Sequence, residues 1–99
     1  NIICKSAYIS RFAKVGNGCV FLNNVCVQNG ASVGDGVLLS PGVEIHHDGT
    51  VDNYSLIYAN SVVRTMAHVG MRVKIGSTCT ISNETVIETD RVIEDGVTE

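Results

Sequence analysis

An aliphatic or aromatic side chain returns at every sixth residue of this chain, from Ile3 to Ile93, without a slip. The register reads Ile3, Ile9, Val15, Phe21, Val27, Val33, Leu39, Ile45, Val51, Ile57, Val63, Val69, Ile75, Ile81, Ile87 and Ile93. A helix repeats about every 3.6 residues and a half-buried strand about every 2, so neither explains this spacing. It is the signature of a hexapeptide parallel β-helix, in which short strands wind into a three-sided coil. A second register follows four residues behind the first: Ala7, Ala13, Cys19, Val25, Ala31, Val37, Val43, Gly49, Ser55, Ser61, Ala67, Val73, Cys79, Thr85, Arg91 and Val97. All but Arg91 are small or β-branched, as an inward position near a tight corner requires.

Three six-residue sides make an 18-residue coil, so Ile3–Ile93 spans about five coils. At roughly 4.8 Å per coil the column stands about 25 Å tall. Gly follows the aliphatic residue at Gly16, Gly34, Gly70 and Gly76, and Asn17, Asn23, Asn24, Asp35 and Asn53 lie close by. These residues are expected to supply the left-handed backbone angles of the corners. The fold class is therefore all-β, one domain over residues 1–99.

The outward positions are not uniform. Residues flanking an inward strand position point to solvent. On one face these read Ile2, Val20, Leu38, Leu56, Lys74 and Val92, each 18 apart, with Leu22, Ser40 and Tyr58 beside them. Another face carries Lys14, Ser32, Thr50 and His68. A regular apolar stripe marks a contact surface, and self-association is expected along it.

Composition narrows the function classes. A net charge of −3 gives no general attraction to nucleic acid or to anionic membranes. No apolar run reaches the length of a membrane span, and no signal peptide is evident. The first residue is Asn1 rather than Met, so the chain reads as a piece of a longer polypeptide. Cys4, Cys19, Cys26 and Cys79 show no C-x-x-C spacing. Cys19 and Cys79 fall in the inward register and read as buried, reduced thiols, which points to the cytoplasm.

The candidate chemistry lies in Ile45-His46-His47-Asp48. Imidazole is the side chain best suited to accept a proton near neutral pH, and an adjacent carboxylate can orient it. A merely solvated His-Asp pair is the bland alternative. His46, His47 and His68 together would suffice as nitrogen ligands for zinc. Arg64, His68, Arg72 and Lys74 follow and suit the phosphates of a nucleotide-like cofactor, or are ordinary surface charge.

With these segments in view, the chain resembles the left-handed β-helix domain of hexapeptide-repeat acyltransferases. It is most similar to the sialic-acid O-acetyltransferase and nucleotide-4-aminosugar N-acetyltransferase group. The resemblance covers the whole chain. It rests on the opening Asn1-Ile2-Ile3-Cys4-Lys5-Ser6-Ala7 and on the repeats Ala13–Gly18 and Ala31–Gly36. It rests also on Gly42-Val43-Glu44-Ile45-His46-His47-Asp48 and the closing Asp95-Gly96-Val97-Thr98.

The resemblance implies a left-handed coil, a homotrimer, and acetyl-CoA as co-substrate in the groove between columns. It implies an amino or hydroxyl group of a sugar or nucleotide-sugar as acceptor, held partly by a separate N-terminal domain, in a bacterial cytoplasm. The base role falls to His47, the orienting role to Asp48, and the cofactor contacts to Arg64, Thr65, Lys74 and Gly76. The sequence departs from the pattern at Ser40, where Asn is usual, at Tyr58-Ala59-Asn60, and at Thr65, where Gly is usual. A backbone N–H survives at Thr65, though its Cβ narrows the approach. Two rivals are a non-catalytic trimeric scaffold and a relative of the γ-type carbonic anhydrases with a zinc site.

Overall fold

A computed structural model describes all 99 residues. The chain is a left-handed parallel β-helix with no helical segment. Sixteen two-residue strands, β1 (Ile2–Ile3) to β16 (Val92–Ile93), each end on the aliphatic register residue. They form three parallel sheets, which are the three faces of the column. The first face runs β1-β4-β7-β10-β13-β16, the second holds β2, β5, β8, β11 and β14, and the third β3, β6, β9, β12 and β15. Each strand pairs with the strand one coil away, so Leu38 lies over Val20 and Leu56 over Leu38. The molecule measures 29 × 21 × 18 Å.

The core is a thin column. From Phe21 to Ile93 every residue of the aliphatic register is buried, and Cys19, Val25, Ala31, Val37, Val43, Ala67, Val73 and Cys79 of the second register pack with them. The first coil differs: β1, β2 and β3 pair on one side only, Ile3 is 44% exposed, and Ile9 and Val15 are half-buried. The two buried serines of the second register are satisfied internally. The Ser55 and Ser61 hydroxyls donate to the carbonyls of Gly70 and Gly76 at 2.7 and 2.6 Å. The Cys19 and Cys79 thiols make the equivalent bonds to Gly34 and Glu94 at 3.1 and 3.0 Å. Both thiols are buried and free, as expected. Arg91 leaves the inward register for solvent and pairs with Glu99.

The corners correct the sequence reading. The left-handed residues are not Gly16, Gly34, Gly70 and Gly76, nor Asn17, Asn23, Asp35 and Asn53. They lie three residues after each aliphatic position, without interruption from Gly18 to Gly96. Of the residues expected to turn the corners, Asn24 alone has a positive φ, of 60°. The backbone N–H of a left-handed residue donates to a carbonyl in the coil below. Asp48 donates to Asn29, Met66 to His47 and Glu84 to Thr65, at 3.0–3.1 Å.

Gly16, Gly34, Gly70 and Gly76 are glycine for a different reason. A side chain from the next coil crosses over each of them to cap the following N–H. Asp35 caps Asn17 at 2.8 Å, Asn53 caps Asp35 at 2.7 Å, Thr89 caps Met71 at 3.2 Å and Asp95 caps Ser77 at 2.8 Å. A Cβ on Gly34 or Gly76 would press on the backbone nitrogen of Asn53 or Asp95, at 2.9 and 2.6 Å.

Candidate functional site

His47 sits at the corner between the second and third faces, in the middle coil. Ile45 ends β8 (Glu44–Ile45) pointing inward, so the chain must leave the face at His46 and turn at His47 and Asp48. Asp48 takes the left-handed angle, φ 58°, which an Asp side chain tolerates better than most. Its N–H bonds to the Asn29 carbonyl at 3.1 Å, and the His47 carbonyl accepts from Met66 at 3.0 Å. These two bonds lock the corner between its neighbours above and below. His47 and Asp48 are both exposed, while His46 is half-buried.

The three histidines are partnered differently. His46 Nε2 lies 2.9 Å from Glu44 Oε1, two residues back along the same face. His68 Nε2 lies 2.9 Å from Asp52 Oδ2 on the third face. The His47 imidazole makes no hydrogen bond within the chain, and the Asp48 carboxylate lies over Gly30 rather than against it. The carboxylate that sequence reasoning missed is therefore Glu44. Its signal is the i, i+2 spacing to His46, which places two side chains on one side of an extended segment. Within one chain no three His, Cys, Asp or Glu side chains converge as a metal would need.

Thr65 stacks directly above His47 on this corner. Its backbone N–H donates to no acceptor in the protein, and neither does that of His47 or Asn29. At other corners side chains cap the equivalent N–H groups of Asn17, Asp35, Met71 and Ser77, while those of Asn23, Asn53, Ala59 and Thr89 are open like that of Thr65. The His47 corner thus presents an open backbone donor one coil above an unencumbered imidazole. Such a donor is suited to an oxygen that gains negative charge. Arg64, exposed, stands beside Thr65.

Lys74 and Gly76 lie elsewhere. Lys74 opens β13 (Lys74–Ile75) on the first face, with Nζ 5.6 Å from the centre of the Tyr58 ring. Gly76 is buried at the corner that follows. The two line a shallow groove of about 400 Å³ with Tyr58, Val92 and Glu94. One column therefore divides the expected cofactor residues into two groups, Arg64–Thr65 on one corner and Lys74–Gly76 on another. The apolar stripe of the first face lies along the second group. Val20, Leu38 and Leu56 are half-buried on it, and Ile2 and Val92 are 66% and 61% exposed.

The chain matches no protein-family model and no curated protein sequence. Among solved structures it is similar to the acetyltransferase domain of PglB from Neisseria gonorrhoeae FA1090. The TM-score is 0.96 at 23% sequence identity, over 98% of this chain and 47% of that one. This chain thus spans about half the length of that structure. At that identity the likeness establishes the path of the backbone, and one fold hosts many chemistries.

Proposed function

We propose that the chain is the acetyl-CoA-dependent module of an acyltransferase that acts on an amino or hydroxyl group of a sugar or nucleotide-sugar. The observation that carries this reading is the pairing of a free His47 imidazole with the uncapped N–H of Thr65 one coil above. The likeness to an acetyltransferase domain supports it. In this scheme the acceptor's lone pair attacks the thioester carbonyl while His47 takes the acceptor's proton. The carbonyl oxygen becomes an oxyanion facing the Thr65 N–H. The intermediate then collapses, the C–S bond breaks, and the coenzyme thiolate leaves with the proton that His47 holds. In this scheme Asp48 turns its carboxylate from Gly30 towards the His47 ring and orients it.

The column works as a homotrimer in this proposal. Side-by-side packing through the apolar stripe brings the His47 corner of one column towards the Lys74–Gly76 groove of the next, which reunites the divided cofactor residues. The acceptor is held partly by a further domain of a longer polypeptide, in the cytoplasm. A His47→Ala variant is expected to lose on the order of 10²–10⁴ in acetyl transfer with its acyl-CoA affinity kept. Full activity in that variant overturns the assignment.

A second reading, a non-catalytic trimeric scaffold, is favoured by one observation, the absence of a hydrogen bond between Asp48 and His47. A trimer that takes up no acyl-CoA would decide for it.

A further inference from the structure

The proposed reaction leaves the Glu44–His46 pair unused. The pair lies midway along the column, on β8 (Glu44–Ile45), which is paired on both sides, with β5 (Cys26–Val27) below and β11 (Val62–Val63) above. Glu44 and His46 flank the fully buried Ile45 and project from the second face. The His46 N–H donates to the Val63 carbonyl at 2.8 Å, and the Ile45 carbonyl accepts from Gln28 at 2.9 Å, so the backbone of the pair is fixed between coils. His46 directly precedes His47 and so borders the corner that carries the open Thr65 N–H.

The hydrogen bond has a defined sense. An ionised carboxylate only accepts, so the proton of the neutral imidazole sits on Nε2, 2.9 Å from Glu44 Oε1. Nδ1, across the ring from that bond, then carries the lone pair, and it has no partner in the chain. A carboxylate that holds one ring nitrogen and leaves the other free orients an imidazole and stabilises it once it gains a proton. The surrounding charges are mixed. Arg64 lies one coil above His46 and opposes a second positive charge, which Glu44 offsets. Gln28 lies below His46 and the Cys26 thiol below Glu44, while His47 and Asp48 follow on the corner.

We infer that His46, positioned by Glu44, is a second base at this corner, which takes the extra proton of an acceptor that arrives as an ammonium ion. The inference rests on the acyl-transfer reading and on proton balance. A hydroxyl or a neutral amine brings one proton for His47 to move to the coenzyme thiolate. An ammonium ion brings one more, and its nitrogen has no lone pair until that proton is gone. One N–H bond of the ammonium breaks, its proton goes to His46 Nδ1, and the freed lone pair attacks the thioester carbon. His47 takes the next proton and passes it to the thiolate. His46, whose side chain is 26% exposed, releases its own to water.

Acetyl transfer from acetyl-CoA to D-glucosamine by the whole chain, followed from about pH 6.5 to about pH 9, tests this, because the probe changes from ammonium to free amine across that range. An amine that titrates at about 7.8 is only about 5% free at the lower pH. His46→Gln, which keeps a donor for Glu44 but takes no proton, should lose up to about 20-fold in kcat/KM for glucosamine there and recover to wild type at the upper pH. Its affinity for acetyl-CoA should be unchanged. Glu44→Gln should show the same pH dependence to a smaller extent, and His47→Ala should stay low throughout. A ratio of wild type to His46→Gln that is constant with pH overturns the inference, whether the two are equal or the variant carries the fixed loss of a merely structural role. A wild type that transfers at no pH overturns the acyl-transfer reading as well.

Discussion

The lower and upper halves of the column turn the same corner with different residues. From residue 18 to 48 every left-handed position is Gly, Asn or Asp: Gly18, Asn24, Gly30, Gly36, Gly42 and Asp48. From 54 to 90 the series reads Tyr54, Asn60, Met66, Arg72, Thr78, Glu84 and Asp90. All the angles stay in the left-handed region, from 51° at Arg72 to 76° at Gly42. In the lower half the residue itself tolerates the angle. The bond from each corner N–H to the carbonyl beneath runs through both halves, and in the upper half it holds an angle that most of the residues there do not favour. A non-glycine residue in this region costs roughly 1–2 kcal/mol, so the upper corners carry strain that the stack must offset. Their side chains are all exposed. His47 and Asp48 stand where the two regimes meet.

The largest effect expected comes from the column that enforces the corners. Ile57→Ala, at a fully buried position in the middle coils, should cost about 2–5 kcal/mol in a denaturant titration. Ile3→Ala, in the open first coil, should cost about 1 kcal/mol or less, since much of that side chain is already wet. Equal costs would mean that the first coil is covered in solution. Next comes the capping crossover. Gly34→Ala below and Gly76→Ala above should each cost about 1–3 kcal/mol, because the added methyl meets backbone as well as the capping side chain.

The corner angle itself should give a smaller effect. Thr78→Gly should be neutral or stabilising by up to about 1 kcal/mol, the relief of strain offset by the entropy of glycine in the unfolded chain. Gly42→Ala should destabilise. A clear loss of stability in Thr78→Gly would show that the upper corners are held by side-chain contacts rather than by the stack.

The smallest effect concerns the Arg72–Asp90 pair, which joins two upper corners at 2.8 Å. The hydrogen bond from Arg72 holds the Asp90 carboxyl below its ordinary range. A carboxylate with a lowered folded pKa contributes stability above its unfolded pKa and loses it as pH falls through the folded one. Both side chains are exposed, so the Asp90→Asn melting temperature should sit slightly below wild type near neutral pH and merge with it in acid. A gap that persists in acid would point to packing rather than charge.

The fold was legible because a six-residue period has few structural solutions, and each register residue from Phe21 onward is buried as the spacing requires. The hand came from resemblance and agrees with the structure. The corners were misread because the eye goes to the glycine beside the aliphatic residue. The better signal was phase: Gly18, Gly30, Gly36, Gly42 and Gly96 share one position of the repeat, and the crossover glycines share another. At the candidate site the sequence singled out His47 and Asp48, and the resemblance added Arg64 and Thr65, which stand one coil above them on the same corner. It could not show that Glu44 rather than Asp48 finds a histidine, since that depends on where the corner aims each side chain. The 18-residue spacing did put Lys74 on the face of Leu38 and Leu56, where the structure has it.

The most direct test of the account is a calorimetric titration of acetyl-CoA into the protein after sizing, with wild type and His47→Ala side by side. The account predicts saturable binding to a single class of sites in both, and acetyl transfer in wild type alone. No binding heat with a correctly sized trimer would contradict it and leave the column a scaffold.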